Sequence, residues 1–285
     1  MKRNWVLIPL LLALTALVKV PFEAGMAADR PRAAGVGLNL KTREMIGQGM
    51  SLALLGGFRA LVADFLWISA HAAWERNRWF TMRQDFEVVT TLQPRAILFW
   101  DMASWHLAWN ASHAAFHDPN EPRLAVRLRD QRHWIRAGRE LLERGIANNP
   151  NNAFLHEKLA WMLHDKLQDL CGAADAALKA VKLCQDWRRG YLQRLAGYWL
   201  EDCARNVAPS RLRETYDYWR QLWLREYAGK PREHWDTIDR NISRRMVKLE
   251  EELSIPEPQR LFPKPPPSAT VPRADEDCNP RRHTR

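Results

Sequence analysis

The stretches FWDMASWHLAWN (residues 99–110) and LHEKLAWMLHDK (residues 155–166) share a small residue followed by tryptophan, 56 positions apart. The same offset lays Pro94 on Pro150, Trp100 on His156, Ala103 on Leu159, Ser104 on Ala160, Trp105 on Trp161 and Leu107 on Leu163. Several independent matches at one offset mark an internal repeat. Repetition limits the fold more than any single motif, because each unit carries an apolar face too large to bury alone and must share it with a neighbour. From Met45 to about Leu253 the apolar residues recur with helical period, and the alternation of a strand is almost absent. The chain is therefore expected to be all-α, built of antiparallel helix pairs.

A helix-pair repeat of roughly 34 residues would leave about 22 extra within the offset. HDPNEPRLAVRLRDQ (residues 117–131), with its prolines and charges, is their natural home. On these grounds the sequence resembles the tetratricopeptide-repeat superfamily, over roughly residues 60–227. The third repeat, AFLHEKLAWMLHDKLQDLCGAADAALKAVKL, fits best, with Leu159, Ala160 and Leu163 at the core positions of its first helix. In the second, Trp100 stands where the family favours tryptophan, Ser104 takes the small position, and Gly138, Leu142 and Gly145 fit the second helix. Residues 63–96 make a first repeat with Ala70 and Phe86, and a fourth begins near Arg189 with Leu195 and Ala196. Its second helix, RLRETYDYWRQLWLREY, departs by being long and aromatic, and HWDTIDRNISRRMVKLEEEL is expected to cover the open end. The glycine usual after the first-helix leucine is Ala or Ser throughout. LALLGGFRALVADFLWISAHAAW also resembles a region of membrane-anchored bacterial proteins of this type.

The resemblance implies a short right-handed solenoid whose concave surface is lined by one face of each first helix. In this register the lining residues are Trp67, His71 and Trp74, then Asp101, Trp105 and Trp109, then Glu157, Trp161 and His164. Spacings of four and three place each set on one helix face. An aromatic groove with acidic spots suits an extended or helical peptide carrying apolar and basic residues, so the expected partner is another protein. The alternative ligand is a lipid or glycan in the same groove, since tryptophan stacks well on both. The competing structural role for the tryptophans is to fill helix–helix seams.

The flanks differ in composition. Residues 1–28 begin with Lys2 and Arg3, followed by an apolar run from Trp5 to Val18 that meets Lys19, within an 18-residue segment ending at Phe22. A helix of that length spans about 27 Å, enough for a thin bilayer, so a membrane anchor with the domain on the extracytoplasmic side is expected. A cleaved signal and a secreted chain are the alternative. Residues 29–44 read as a linker, 45–253 as the repeat domain, and the proline-rich 254–285 as a disordered tail.

No catalytic constellation emerges: GxSxG, HExxH and P-loop spacings are missing from the sequence, and no enzyme activity, cofactor or metal is expected. His113 and His117, four apart with His106 upstream, lack an identifiable third metal ligand. The formal charge of +10 is spread along the chain and no nucleic-acid module is recognisable. Arg59 and Asp64, in an otherwise apolar stretch, are expected to act as paired charges that fix their helix to its neighbour. The first three of the four cysteines, Cys171, Cys184, Cys203 and Cys278, read as core residues, or as a disulfide outside the cytoplasm.

Overall fold

The computed structural model describes residues 57–262, and among them every regular element is helical. The expected anchor and linker lie outside the described residues, as does the chain from residue 263. Within the described part no helix is long and apolar enough to cross a membrane. The chain divides into two compact units, through Trp199 and from Leu200.

The first unit is a succession of helix hairpins. Helix α1 (Arg59–Glu75) pairs with α2 (Trp79–Leu92). Next, α3 (Ile97–Trp105) runs through a π-helical segment (His106–Ala111) into α4 (Ser112–Phe116), and this whole rod packs on α5 (Leu124–Asn148). Helix α6 (Ala153–Asp165) pairs with α7 (Leu170–Leu183), and α8 (Arg189–Asn206) follows. Helix α3 also touches α6, so the first helices of the second and third pairs are neighbours. The loop expected over 117–131 is shorter than its sequence suggests, because α5 already starts at Leu124 and absorbs the rest as extra helical turns.

Local chemistry sets the boundaries. Asn152 accepts a hydrogen bond from the Leu155 amide at 3.0 Å and Asp169 one from the Gly172 amide at 2.9 Å, capping the starts of α6 and α7. The tight turns within the first and third hairpins each use a residue in the left-handed region, Asn77 (φ 55°) and Gln168 (φ 53°). Such a residue ends a helix by turning the backbone so that late amides fold back on its carbonyls. Arg78 N donates to Ala73 O at 2.8 Å and Leu167 N to Met162 O at 3.2 Å.

Packing at the crossings depends on small residues. Ala70, Ser104, Ala160 and Ala196, expected at the crossing positions, are all buried. On α5, a Cβ at Gly138 would come within 2.8 Å of both Ala108 Cβ and the Ser104 carbonyl, and one at Gly145 within 2.8 Å of Trp100 Cβ. The two glycines therefore set how closely α5 lies on the α3 rod. The repeat also appears in hydrogen bonds: the Trp100 indole donates to the Pro94 carbonyl at 2.9 Å, and His156 Nε2 lies 3.3 Å from the Pro150 carbonyl. Aligned residues thus make equivalent contacts 56 positions apart.

One expectation is corrected, and the choice left open for the cysteines is resolved. Arg59 and Asp64 are both exposed and form no ion pair among the described residues, so from the solvent-facing side of α1 neither fixes that helix to its neighbour by charge. Cys171 and Cys203 are disulfide-bonded, while Cys184 is a buried free thiol.

The second unit contains the end of α8, α9 (Leu212–Glu226) and α10 (Thr237–Glu252). Helix α10 opens on a capping box made by Asp236 and Asp239. Glu201 is buried between Arg205 Nε and Arg245 Nη1, both at 2.9 Å, and Arg205 also reaches Glu252 at 2.7 Å. The expected disordered tail is ordered over residues 254–262. Ile255 and Phe262 are buried there, Phe262 with its ring 4.9 Å from Trp223, and the Leu261 amide donates to the buried Glu250 carboxylate at 2.7 Å. Apolar burial and this charged acceptor offset the entropy that the proline content alone would leave unopposed. Glu250 also accepts from the Tyr216 hydroxyl at 3.2 Å. Glu250→Leu should therefore strand two donors and lower stability by about 1–3 kcal/mol. Limited proteolysis should then cut near residues 254–262 well before the helices, and unchanged cutting there would refute the anchoring role.

Candidate functional site

The π turn is the main local departure from the α pattern. His106 at its start is buried, and the Asn110 side-chain amide donates to its Nδ1 at 2.9 Å. Aromatic rings close around it: Trp74 and Trp105 at 5.1 Å and Phe86 at 5.7 Å between centroids. Burial first, and the neighbouring His71 second, push its pKa down to about 4. His106 is accordingly a neutral structural ring at the hub of the first two hairpins. Segments with i→i+5 bonding are rare and often mark functional sites, and this one carries Trp109 at its centre.

Trp105 and Trp109 face α6 across a pocket of about 260 Å³. Asp101 and Ser104 complete the α3 wall, Lys158, Trp161 and Asp165 form the α6 wall, and Leu142 and Met162 line the remainder. Trp105 is 41 % exposed, unusual for so large an apolar ring. The Trp161 ring lies edge-on to Trp199 at 5.0 Å. Lys166 sits 5.2 Å over the Trp109 ring. The Asp101 pKa is raised by burial, opposed by Lys158, whose ammonium is 3.8 Å from its carboxylate.

Of the nine residues expected to line one groove, the structure brings Asp101, Trp105, Trp109 and Trp161 together here. Trp67, His71 and Trp74 lie elsewhere. Trp67 packs between Phe86 (5.4 Å) and Phe99 (5.0 Å) as seam filling. His71 lies 4.9 Å from Trp74, and both belong to the His106 cluster. Glu157 turns to the next seam, where Arg188 is 3.6 Å away, and its pKa is raised by burial against that cation. His164 stacks on Trp199 at 5.1 Å and bonds to Asp165 at 2.7 Å. The pocket members missed from the sequence are Ser104, Leu142, Lys158, Met162 and Asp165. Lys158 and Asp165 sit three before and four after Trp161, a spacing that could have placed them on its face.

A second cleft, of about 730 Å³, lies between the α1–α2 turn, residues 114–121 and the start of α5. Its floor holds Trp134 and the 70 % exposed Phe80, ring to ring at 5.1 Å. Its acids are engaged locally: Glu121 bonds Arg123 at 2.8 Å and Asp130 bonds Arg129 at 2.8 Å. The residues 117–121 line this cleft and not the tryptophan pocket. His113 and His117 stack at 4.0 Å, and among the described residues no group of three or more His, Cys, Asp or Glu is placed to hold a metal ion.

Comparison of the chain with protein-family models, with curated proteins and with solved structures finds no match in any of the three.

Proposed function

We propose that the protein is a membrane-associated, tetratricopeptide-like helical scaffold, without catalytic activity, that binds another protein through the pocket between α3 and α6. The observation that carries this reading is the pocket itself: three tryptophans, one of them partly exposed, converge with two carboxylates between successive first helices. Tryptophan at the centre of a concave site is a typical energetic anchor for a protein partner. Membrane attachment is inferred from the predominantly apolar segment Trp5–Phe22, in which Lys19 is the one charged residue. An extracytoplasmic domain is supported by the disulfide-bonded Cys171 and Cys203, since such bonds persist in oxidising compartments. The sequential hairpins and their small crossing residues support the solenoid.

Affinity capture from membranes with the full chain, followed by mass spectrometry, tests the reading. Trp105→Ala should reduce recovery of the partner at least about tenfold, a loss of about 1.4 kcal/mol or more, with the melting temperature nearly unchanged. A recovered lipid or glycan in place of a protein would transfer the pocket to the other ligand class. Unchanged recovery on Trp105→Ala would leave the tryptophans as packing.

A further inference from the structure

The pocket contains a charge that its surroundings satisfy only in part. The Asp101 side chain is 13 % exposed, and the ammonium of Lys158 stands 3.8 Å from it, beyond direct hydrogen-bond distance. Lys158 itself is 38 % exposed and has a second seat, over the Phe154 ring at 4.7 Å. A half-buried carboxylate without any cation would be penalised. A long, exposed and divided contact removes only part of that penalty, and Lys158 has somewhere else to go.

We infer that this pocket takes an arginine side chain of the partner, whose guanidinium enters among the tryptophans and displaces Lys158 from Asp101. The inference rests on the reading of the pocket as a protein-binding site. A guanidinium suits the pocket better than an ammonium in two ways. It is planar and stacks on indole faces, and it presents paired donors that match a carboxylate. The volume of about 260 Å³ is on the scale of one long side chain, not of a helix. Asp165 on the opposite wall, fixed by His164 at 2.7 Å, adds a second carboxylate within reach of an entering cation. Lys158 is thereby a placeholder, keeping Asp101 paired while the pocket is empty of partner and yielding when a better-shaped cation arrives.

The test uses the full chain and two peptides, acetyl-Gly-Arg-Gly-amide and its neutral isostere acetyl-Gly-citrulline-Gly-amide, followed by the indole NMR resonances of Trp105, Trp109 and Trp161. The arginine peptide should shift these signals and bind about tenfold tighter than the citrulline peptide. Asp101→Asn should abolish that preference. Lys158→Met should tighten the arginine peptide several-fold, because the resident cation no longer competes. Equal binding of the two peptides, no binding of either, or weaker binding by Lys158→Met each overturns the inference. Should it fall while Trp105→Ala still loses the membrane partner, the binding reading stands and only the arginine assignment is lost. Should Trp105→Ala leave capture intact, the binding reading itself fails.

Discussion

Gly145→Ala destabilises the first unit by about 1–3 kcal/mol, although at an open helical site the same change stabilises by up to about 1 kcal/mol. The sign is reversed by geometry. A Cβ at Gly145 meets Trp100 Cβ and Cγ at 2.8 Å, and the Cβ is fixed by the backbone of α3, so no rotamer change can remove that contact. Relief requires α5 to lift from α3, which loosens the Trp100 side chain buried between them and its hydrogen bond to Pro94. Gly190→Ala supplies the control, because at that position of α8 the nearest atom is the flexible tip of Arg194 at 3.6 Å. Chemical denaturation should therefore separate the two glycines by direction as well as size. A stabilised Gly145→Ala would disprove the close crossing.

Acidification should weaken the fold through His106. Its folded pKa of about 4 lies below the ordinary 6.5. Between those values the unfolded chain takes up a proton that the folded chain refuses. The stabilisation is full above pH 6.5 and is lost as pH falls towards 4. At 1.36 kcal/mol per unit, and allowing for partial hydration of the site, the loss is about 2–3 kcal/mol. Asp101 and Glu157 act in the opposite sense. Their pKa values are raised by burial, so their protonation on acidification relieves strain on the folded state. The diagnostic quantity is thus the difference between the native chain and His106→Gln, whose stability should lack the decline from pH 6.5 to 4. Parallel pH profiles for the two would show that His106 is not held neutral.

The helix pairs and their crossing residues were legible because they follow from apolar period and residue size. Ala70, Ser104, Ala160 and Ala196 are buried as the repeat requires, whatever the details of register. The pocket was legible in part. Trp105 and Trp161 share it, but of the aligned pair Asp101 and Glu157 only Asp101 lines it. Glu157 is drawn to the next seam by Arg188, which enters from the connection before α8, where no repeat pattern holds. The π turn was not legible, because it changes which carbonyl each amide uses without changing the pattern of side chains. A helical wheel drawn through residues 97–116 is sound on each side of it and misaligned across it. The ordering of residues 254–262 was hidden for another reason. It depends on a tertiary acceptor, Glu250, and on an aromatic neighbour, Trp223, neither of which composition reveals.

The carbonyl of Pro94 accepts from Trp100 and also from the Asn149 side chain, each at 2.9 Å, and Arg95 donates to the Asn148 carbonyl beside them. The chain thus enters and leaves the second hairpin at the same spot, making it a closed loop with a pinned mouth. The rod and α5 can lengthen outward by whole turns, and a cleft can open at their far end, without changing the distance between the segments that precede and follow. That is why the longest hairpin of the first unit stands between two ordinary ones and leaves the hydrogen-bond pattern at Pro94 and Pro150 in step.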